Sequence, residues 1–359
     1  MDICINIDWL EVFAREPSDI PHNAKYYQDR GFQVKERNYG TPQYREMFTI
    51  YQDGFPYLEI RRDPYSLKKN GGIFNSNDCH IRLSNRTCYD ISPVDDLRLF
   101  MLDNNYTYVS LSRIDICLDF NFFDLGQNPR KILEDYMENR ISKINQCNTA
   151  AYGKDTWAGR KWNSLKWGSE HSPISTKIYE KTLEMKEKQD KFYIRDCWKE
   201  AGLRDDIPVW RVEFSIKSDI KHFVKIDTGE LIPNDFSSYD TRHKCLFRFH
   251  SLAARYFHFK IVEKTENGKY KRKDRCKDKI LFKINKEEEV FKPIRLTVNI
   301  EPTRTDKMIV KKLAEMLESQ YMSRDIRESA RKVMIKIAHD DRMMEYLHYI
   351  DYLIMDYDK

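Results

Sequence analysis

Tyr179 lies in the run Ser175-Thr-Lys-Ile-Tyr-Glu-Lys181, with Lys177 before it and Lys181 after it at the same spacing. Upstream stands Ser112-Arg-Ile-Asp-Ile-Cys-Leu-Asp-Phe120, and downstream Val209-Trp-Arg-Val-Glu-Phe-Ser-Ile-Lys217. In all three runs the apolar residues fall mostly on even-numbered positions and the charged or reactive ones mostly on odd. A β-strand sends successive side chains to opposite faces, so each run buries its aliphatics and presents its charges together. If the three share a sheet, Asp115, Asp119, Tyr179, Arg211 and Glu213 converge on one surface. Carboxylates, a tyrosine and cations are what metal-assisted phosphodiester chemistry needs. A phenol, with a pKa of about 10, needs cationic or metal help to act as a nucleophile. Lys177 and Lys181 can lower that pKa or bind the scissile phosphate. Asp115 and Glu213, each mid-strand between aliphatics of opposite parity, are the first choices as ligands of a Lewis-acidic cation, with Asp119 further along the same face. Oxygen ligands of this kind suit Mg²⁺ or Mn²⁺. A plainer reading stands beside this one: the chain has 22 tyrosines, and an Arg-x-Asp or Arg-x-Glu pair on a strand can be a surface ion pair.

Other chemistries find no support. No His-hydrophobic-His triplet occurs among the nine histidines, so a two-histidine metal cradle is absent. There is no GxxxxGK[ST] loop, no GxSxG and no HExxH. The eight cysteines are spread singly with no CxxC pair, which argues against a zinc ribbon, a redox motif or a disulfide framework and for reduced thiols in a cytoplasm. No apolar run approaches the roughly 20 residues that span a bilayer. The opening Met-Asp-Ile-Cys-Ile-Asn-Ile-Asp reads as a strand, not a signal peptide.

The elements that position these residues follow from periodicity and turn chemistry. Ile3, Ile5 and Ile7 alternate, and the apolar parity then slips at Leu10 and Val12. Residues 44–61 read as a hairpin turning at Asp53-Gly54, and His80–Ser84 as a further strand. Ser92-Pro93 opens a helix to Leu102, and Asn128-Pro129 opens one to about Lys143. Gly71-Gly72 reads as a turn. A Gly/Trp/Lys-rich region covers 152–168, a charged helical stretch 183–201, and a helix 241–259; short strands fall at 279–285 and 293–300. Helix is expected from Asp306 to the end. The strands are amphipathic, which favours an antiparallel sheet with one covered and one working face. The expected fold is α+β: a curved, largely antiparallel sheet with helices on one face, in a domain over 1–300, and a C-terminal helical region over 301–359.

At 359 residues, 41% hydrophobic and 13% aromatic, the chain has material for a sizeable core. Its net charge of +5 permits an anionic partner without requiring one. Distribution says more. Lys269–Lys279 holds seven cations, among them Lys271, Arg272, Lys273 and Arg275, against two acids. A smaller cluster, Arg160, Lys161 and Lys166, surrounds Trp162. Such runs are solvated loops or phosphate-tracking surfaces. On the 241–259 helix, Phe247, Arg248, Arg255 and Tyr256 are either groove contacts or core.

Taken in order, Arg113-Ile-Asp-Ile-Cys-Leu-Asp119, Ile178-Tyr-Glu-Lys181 and Trp210-Arg-Val-Glu213 resemble the RxDxxxD, (I/L)YxK and WRxE strands of the rolling-circle plasmid replication initiators of the replication initiation factor (Rep_trans) family and the related conjugative relaxases. Ile7-Asp-Trp-Leu10 also looks like that family's first strand, and the likeness spans about residues 5–220. The resemblance implies nicking and joining of one strand of a double-stranded origin, supercoiled or cruciform. Tyr179 would attack, leaving a 5′-phosphotyrosyl link and a 3′-OH that primes synthesis. It also implies Asp115 and Glu213 as metal ligands, Lys181 and Arg211 as phosphate contacts, and Lys177 and Arg113 among the DNA-binding residues. Single-stranded DNA is a further expected partner, and the helical tail from 306 is open to three roles: dimerising with a second copy of the chain, binding a helicase, or capping the sheet. The family often carries a second acid directly after the Asp119 position; Phe120 stands there in this chain, which puts Asp115 and Glu213 ahead of Asp119. A relaxase for conjugative mobilisation and a non-catalytic DNA-binding regulator are the alternatives. The lack of a helix-turn-helix before the first strand favours the initiator.

Overall fold

In the computed structural model the alternating runs become long strands that pair side by side. Residues 2–295 are described, apart from 20, 38–39, 66–75, 146, 158, 170, 189, 226–228 and 284–290. The compact unit they build is Met1–Leu296. The expected Gly71-Gly72 turn, the helix from Asp306 and the 301–359 region lie outside the described residues.

In chain order the strands are β1 (Ile3–Arg15), β2 (Gln33–Glu36), β3 (Tyr44–Gln52), β4 (Phe55–Pro64), β5 (Asp78–Leu83), β6 (Thr107–Phe120), β7 (Ile141–Lys143), β8 (Thr149–Thr156), β9 (Gly159–Trp167), β10 (Ile174–Glu180), β11 (Trp210–Lys217), β12 (Ile220–Lys225), β13 (Leu231–Pro233), β14 (Phe259–Ile261), β15 (Asp278–Lys279) and β16 (Phe291–Arg295). The helices are α1 (Ala24–Gln28), α2 (Pro93–Asp103), α3 (Pro129–Met137), α4 (Lys181–Glu187), α5 (Phe192–Glu200) and α6 (Arg242–Tyr256). Ten strands form one sheet in the order β2-β3-β4-β5-β1-β6-β11-β10-β9-β8, and each ladder in it is antiparallel. The fold is α+β, as amphipathic strands require.

The even-numbered positions of the central strands build the core. Ile114, Ile116, Leu118 and Phe120 of β6 and Trp210, Val212, Phe214 and Ile216 of β11 are all buried, and α6 packs against β1 and β6. Thr241 opens α6 by accepting the Lys244 backbone N–H, the expected job of an N-cap threonine. Phe249 of α6 then lies edge-on to Phe214, ring centres 5.1 Å apart, and edge-on to Phe282 at 5.6 Å. These T-shaped pairs suit the ring quadrupoles. At one end of the opposite face, α5 brings the Trp198 indole to Asp119.

Several expectations change at element boundaries. The Asp53-Gly54 hairpin forms, with φ of 52° and 76° at the two turn residues, the left-handed pair a type I′ turn demands. The 128–143 helix stops at Met137 because Asn139 adopts φ 58° and turns the chain into β7. The 183–201 stretch is two helices, and β10 ends at Glu180, so Lys181 opens α4 instead of closing the strand. On α6, Arg248 is core: it is buried, its guanidinium 3.8 Å over the Phe223 ring. All eight cysteines are unpaired. Among the described residues no helix is long and apolar enough to cross a membrane.

Phe249→Ala removes the ring at the centre of this packing and is expected to lower unfolding free energy by about 3–5 kcal/mol in urea titrations, whereas Leu99→Ala, at a position 56% exposed, stays within about 0.5 kcal/mol of wild type. Equal midpoints for the two variants would contradict the core assignment.

Candidate active site

Register decides which odd-numbered residues meet. Across β6, β11, β10 and β9, Asp119 pairs with Arg211, Arg211 with Tyr179, and Tyr179 with Ser164. The next row is Cys117, Glu213, Lys177 and Lys166; beyond it Asp115 pairs with Ser215, and Arg113 with Lys217. Residues directly opposite in an antiparallel ladder point to the same side. The five residues expected to converge therefore share one face of the sheet.

They divide into two groups there. Arg211 is fully buried. Its Nε donates to Asp119 Oδ1 at 2.6 Å, one terminal nitrogen to Asp119 Oδ2 at 2.7 Å, and the other to Asp8 Oδ1 at 2.7 Å. Asp119 Oδ2 also accepts the Trp198 indole N–H at 2.6 Å. Expected as a third metal ligand, Asp119 instead has both oxygens committed to a buried guanidinium. Arg211, expected at the phosphate, neutralises two carboxylates beneath the surface. Lys181 is buried too and donates to Glu184 Oε2 at 2.7 Å; its ammonium reaches the Tyr179 ring only at 5.5 Å.

In the second group Tyr179 and Glu213 line a groove, and Asp115 is buried beside it. The Tyr179 hydroxyl donates to Glu213 Oε2 at 3.1 Å, and Lys177 Nζ lies 3.8 Å from the Tyr179 ring centre. Burial, reinforced by the Glu213 charge, pushes the Tyr179 phenol well above its ordinary range. Burial, then the carboxylates of Asp8 and Asp115, pushes Glu213 up to about 7. Burial also raises Asp115, against the pull of Arg113, whose guanidinium grips both Asp115 oxygens at 2.9 and 2.5 Å.

Asp8 is the residue sequence reasoning passed over, although Ile7-Asp-Trp-Leu10 was in view. It sits in a β-bulge where the β1–β6 register jumps between Ile7 and Trp9. A bulge re-aims a side chain, and here it brings a carboxylate to the working face. Tyr89 donates to Asp8 Oδ1 at 2.5 Å and Asn85 donates to its backbone carbonyl at 2.9 Å. Burial opposes its charge, but Arg211, Lys181 and Tyr89 outweigh that and hold Asp8 well below the usual carboxylate range. The parity slip after Ile7 was the available signal. Asp8, Asp115 and Glu213 interact electrostatically, yet among the described residues no three His, Cys, Asp or Glu side chains are gathered as a ready ion cage.

The groove above Tyr179 has a volume of about 1280 Å³. Arg113, Lys154, Lys161, Lys166, Lys177, Lys188 and Lys217 line it against Glu180, Glu184, Glu187 and Glu213, seven cations to four carboxylates. The cations also stand opposite one another in register: Arg113 with Lys217, Lys177 with Lys166, and Lys161 with Lys154. Like charges directly across a ladder destabilise it, so these pairs cost folding energy and offer an anion-binding surface. The 269–279 segment lies apart from these lining residues. There Lys271 pairs with Glu263 at 2.6 Å, Arg272 with Asp274 at 3.3 Å, and Lys273 donates to the Ile144 carbonyl at 2.5 Å. Lys271 and Arg272, with Lys269, Arg275 and exposed Tyr270, line a separate surface pocket.

No family model and no curated protein matches the chain. Among solved structures it is similar to the rolling circle replication initiator protein from Geobacillus stearothermophilus, with a TM-score of 0.46 and 12% identity over 78% of this chain and 93% of that one.

Two measurements check the site's electrostatics. Asp119→Ala strands a buried guanidinium and is expected to cost about 3–5 kcal/mol of stability in urea; a ligand carboxylate among other acids would be lost at little cost or with a gain. Glu213 has a folded pKa of about 7 against an ordinary 4.5, so between those values the folded chain keeps a proton that the unfolded chain has lost. Its contribution to stability therefore falls as pH rises through that window. In metal-free buffer, Tm is expected to fall more steeply from pH 5 to pH 8 in wild type than in Glu213→Gln, and parallel curves would contradict the assignment.

Proposed function

We propose that this chain nicks and rejoins one strand of a double-stranded DNA origin, with Tyr179 as nucleophile, and so initiates rolling-circle replication. The observation that supports this best is the Tyr179–Glu213 hydrogen bond of 3.1 Å at a groove lined by opposed cations. A nucleophile, an adjacent proton acceptor and a phosphate-binding wall are what transesterification needs.

In this reading the DNA backbone enters the groove against Lys177, Lys166 and Arg113. Tyr179 Oη attacks the phosphorus as its proton passes to Glu213 Oε2. A carboxylate titrating near neutrality suits that task, because it is ionised in part at working pH and holds a proton readily. The bond from phosphorus to the 3′ oxygen breaks, and that oxygen leaves as a 3′-OH after taking up a proton. The phosphate stays on the 5′ side, esterified to Tyr179. One phosphodiester replaces another, so the reverse attack by a 3′-OH rejoins the strand.

The carboxylate oxygens of Asp115, Glu213 and Asp8 fit a hard divalent cation, Mg²⁺ or Mn²⁺, by their donor chemistry. When bound, such an ion would supply Lewis-acid stabilisation to a non-bridging phosphate oxygen. Arg113 holds both Asp115 oxygens, so it has to let go before Asp115 can serve. The entering phosphate is a competing anion for that guanidinium. Asp119 and Arg211 act by positioning, holding the strands that carry Glu213 and Asp115.

Incubated with Mg²⁺ or Mn²⁺ and supercoiled DNA carrying its own coding sequence and flanks, wild type is expected to form a covalent protein–DNA adduct resistant to denaturant, and Tyr179→Phe none. Persistence of the adduct in Tyr179→Phe would assign the nucleophile to another residue, and no adduct from wild type with either metal would leave a DNA-binding regulator as the better account.

A further inference from the structure

β8 and β9 form the outermost hairpin of the large sheet, and its exposed residues go unused by the chemistry proposed above. Trp157, at the turn, is fully exposed, and Tyr152 on β8 is 64% exposed. The Trp157 ring is left uncovered, so its face is open to a ligand. The hairpin is also built to show its cations. The β8–β9 register jumps between Tyr152 and Gly153, and a Cβ on Gly153 would come within 2.7 Å of the Lys161 carbonyl. Only glycine permits that approach. The bulge shifts the parity of β9, so that Lys161 faces the groove together with Ser164 and Lys166. Lys161 then stands directly across from Lys154. Thus the hairpin carries forward the row of opposed cations that begins at Arg113 and Lys217, and ends it in an aromatic ring.

We propose that the β8–β9 hairpin is a clamp for an unpaired DNA strand. Lys154 and Lys161 hold its phosphates, and Trp157, aided by Tyr152, stacks on its bases. The occupant is a single strand because an indole needs the open face of a base, and a duplex keeps those faces stacked on one another. Backbone charge alone would serve either form; the aromatic tip is what selects the unpaired one. The proposal rests on the nicking reading only in naming DNA as the polyanion: a strand leaving Tyr179 across Lys177 and Lys166 reaches Lys161 and Lys154 next.

Fluorescence anisotropy with a labelled oligothymidylate, and with the matching homopolymer duplex at the same salt, tests the clamp on the full chain. Trp157→Ala is expected to weaken single-strand binding about five- to a hundredfold and to leave duplex binding within about twofold, with Trp157→Phe retaining most of the wild-type affinity. Replacing Lys154 and Lys161 by Ala together should reduce the slope of log affinity against log salt on the single strand by about 1.4. Unchanged single-strand affinity in Trp157→Ala, an equal loss on both DNA forms, or an unchanged salt slope would overturn the proposal. A chain that makes no covalent adduct but still loses single-strand affinity on Trp157→Ala would retain the clamp while losing the nicking reading.

Discussion

A guanidinium with no access to water governs this face of the sheet. Arg211 is a charge in a place where an unpaired charge is prohibitive, so its neighbours must neutralise it. Asp119 does so in two bonds and Asp8 in a third, and Trp198 completes Asp119 from α5. The result ties β1, β6, β11 and α5 around one ion. It also fixes the charge states around it. Asp8 stays ionised because Arg211 faces it, and burial, reinforced by the charges of Asp8 and Asp115, raises Glu213 to about 7. The site is thereby split into a settled, buried half and an unsettled half that includes Tyr179.

The unsettled half continues into the groove. A net charge of +5 over 359 residues is modest, but local placement counts for more than the total. Arg113 against Lys217, Lys177 against Lys166 and Lys161 against Lys154 are arrangements a fold selected for stability alone would avoid. Natural chains break local rules where function asks for it, and a polyanion lying across these strands would turn each repulsive pair into a favourable one.

Strand parity made much of this legible. A period of two is a local property, so Asp115, Tyr179 and Glu213 could be assigned to one face before any partner was known, and the Asp53-Gly54 turn declared its own geometry. What parity could not supply was the identity of the residue opposite. Arg211 and Asp119 look like independent functional side chains in their own motifs, and only the β6–β11 register shows that they consume one another. Lys181 reads as part of a strand, but β10 ends one residue earlier. Asp8 depends on a bulge, visible in the sequence only as a slip in alternation after Ile7. The β8–β9 hairpin is not legible as strands, because its own bulge and glycines interrupt the alternation. For Arg248 the sequence leaves groove contact and core both open, and packing against Phe223 decides for the core; the 269–279 cations read as a charge run, whereas Glu263 and Asp274 engage Lys271 and Arg272.

The central claim is that Tyr179 becomes esterified to DNA, and peptide mapping of the protein–DNA adduct tests it most directly. After nuclease trimming and tryptic digestion, the account predicts nucleotide mass on the peptide Ile178-Tyr-Glu-Lys181, with the phosphate bonded to Tyr179. Nucleotide mass on another peptide, with Ile178–Lys181 recovered unmodified, would contradict it.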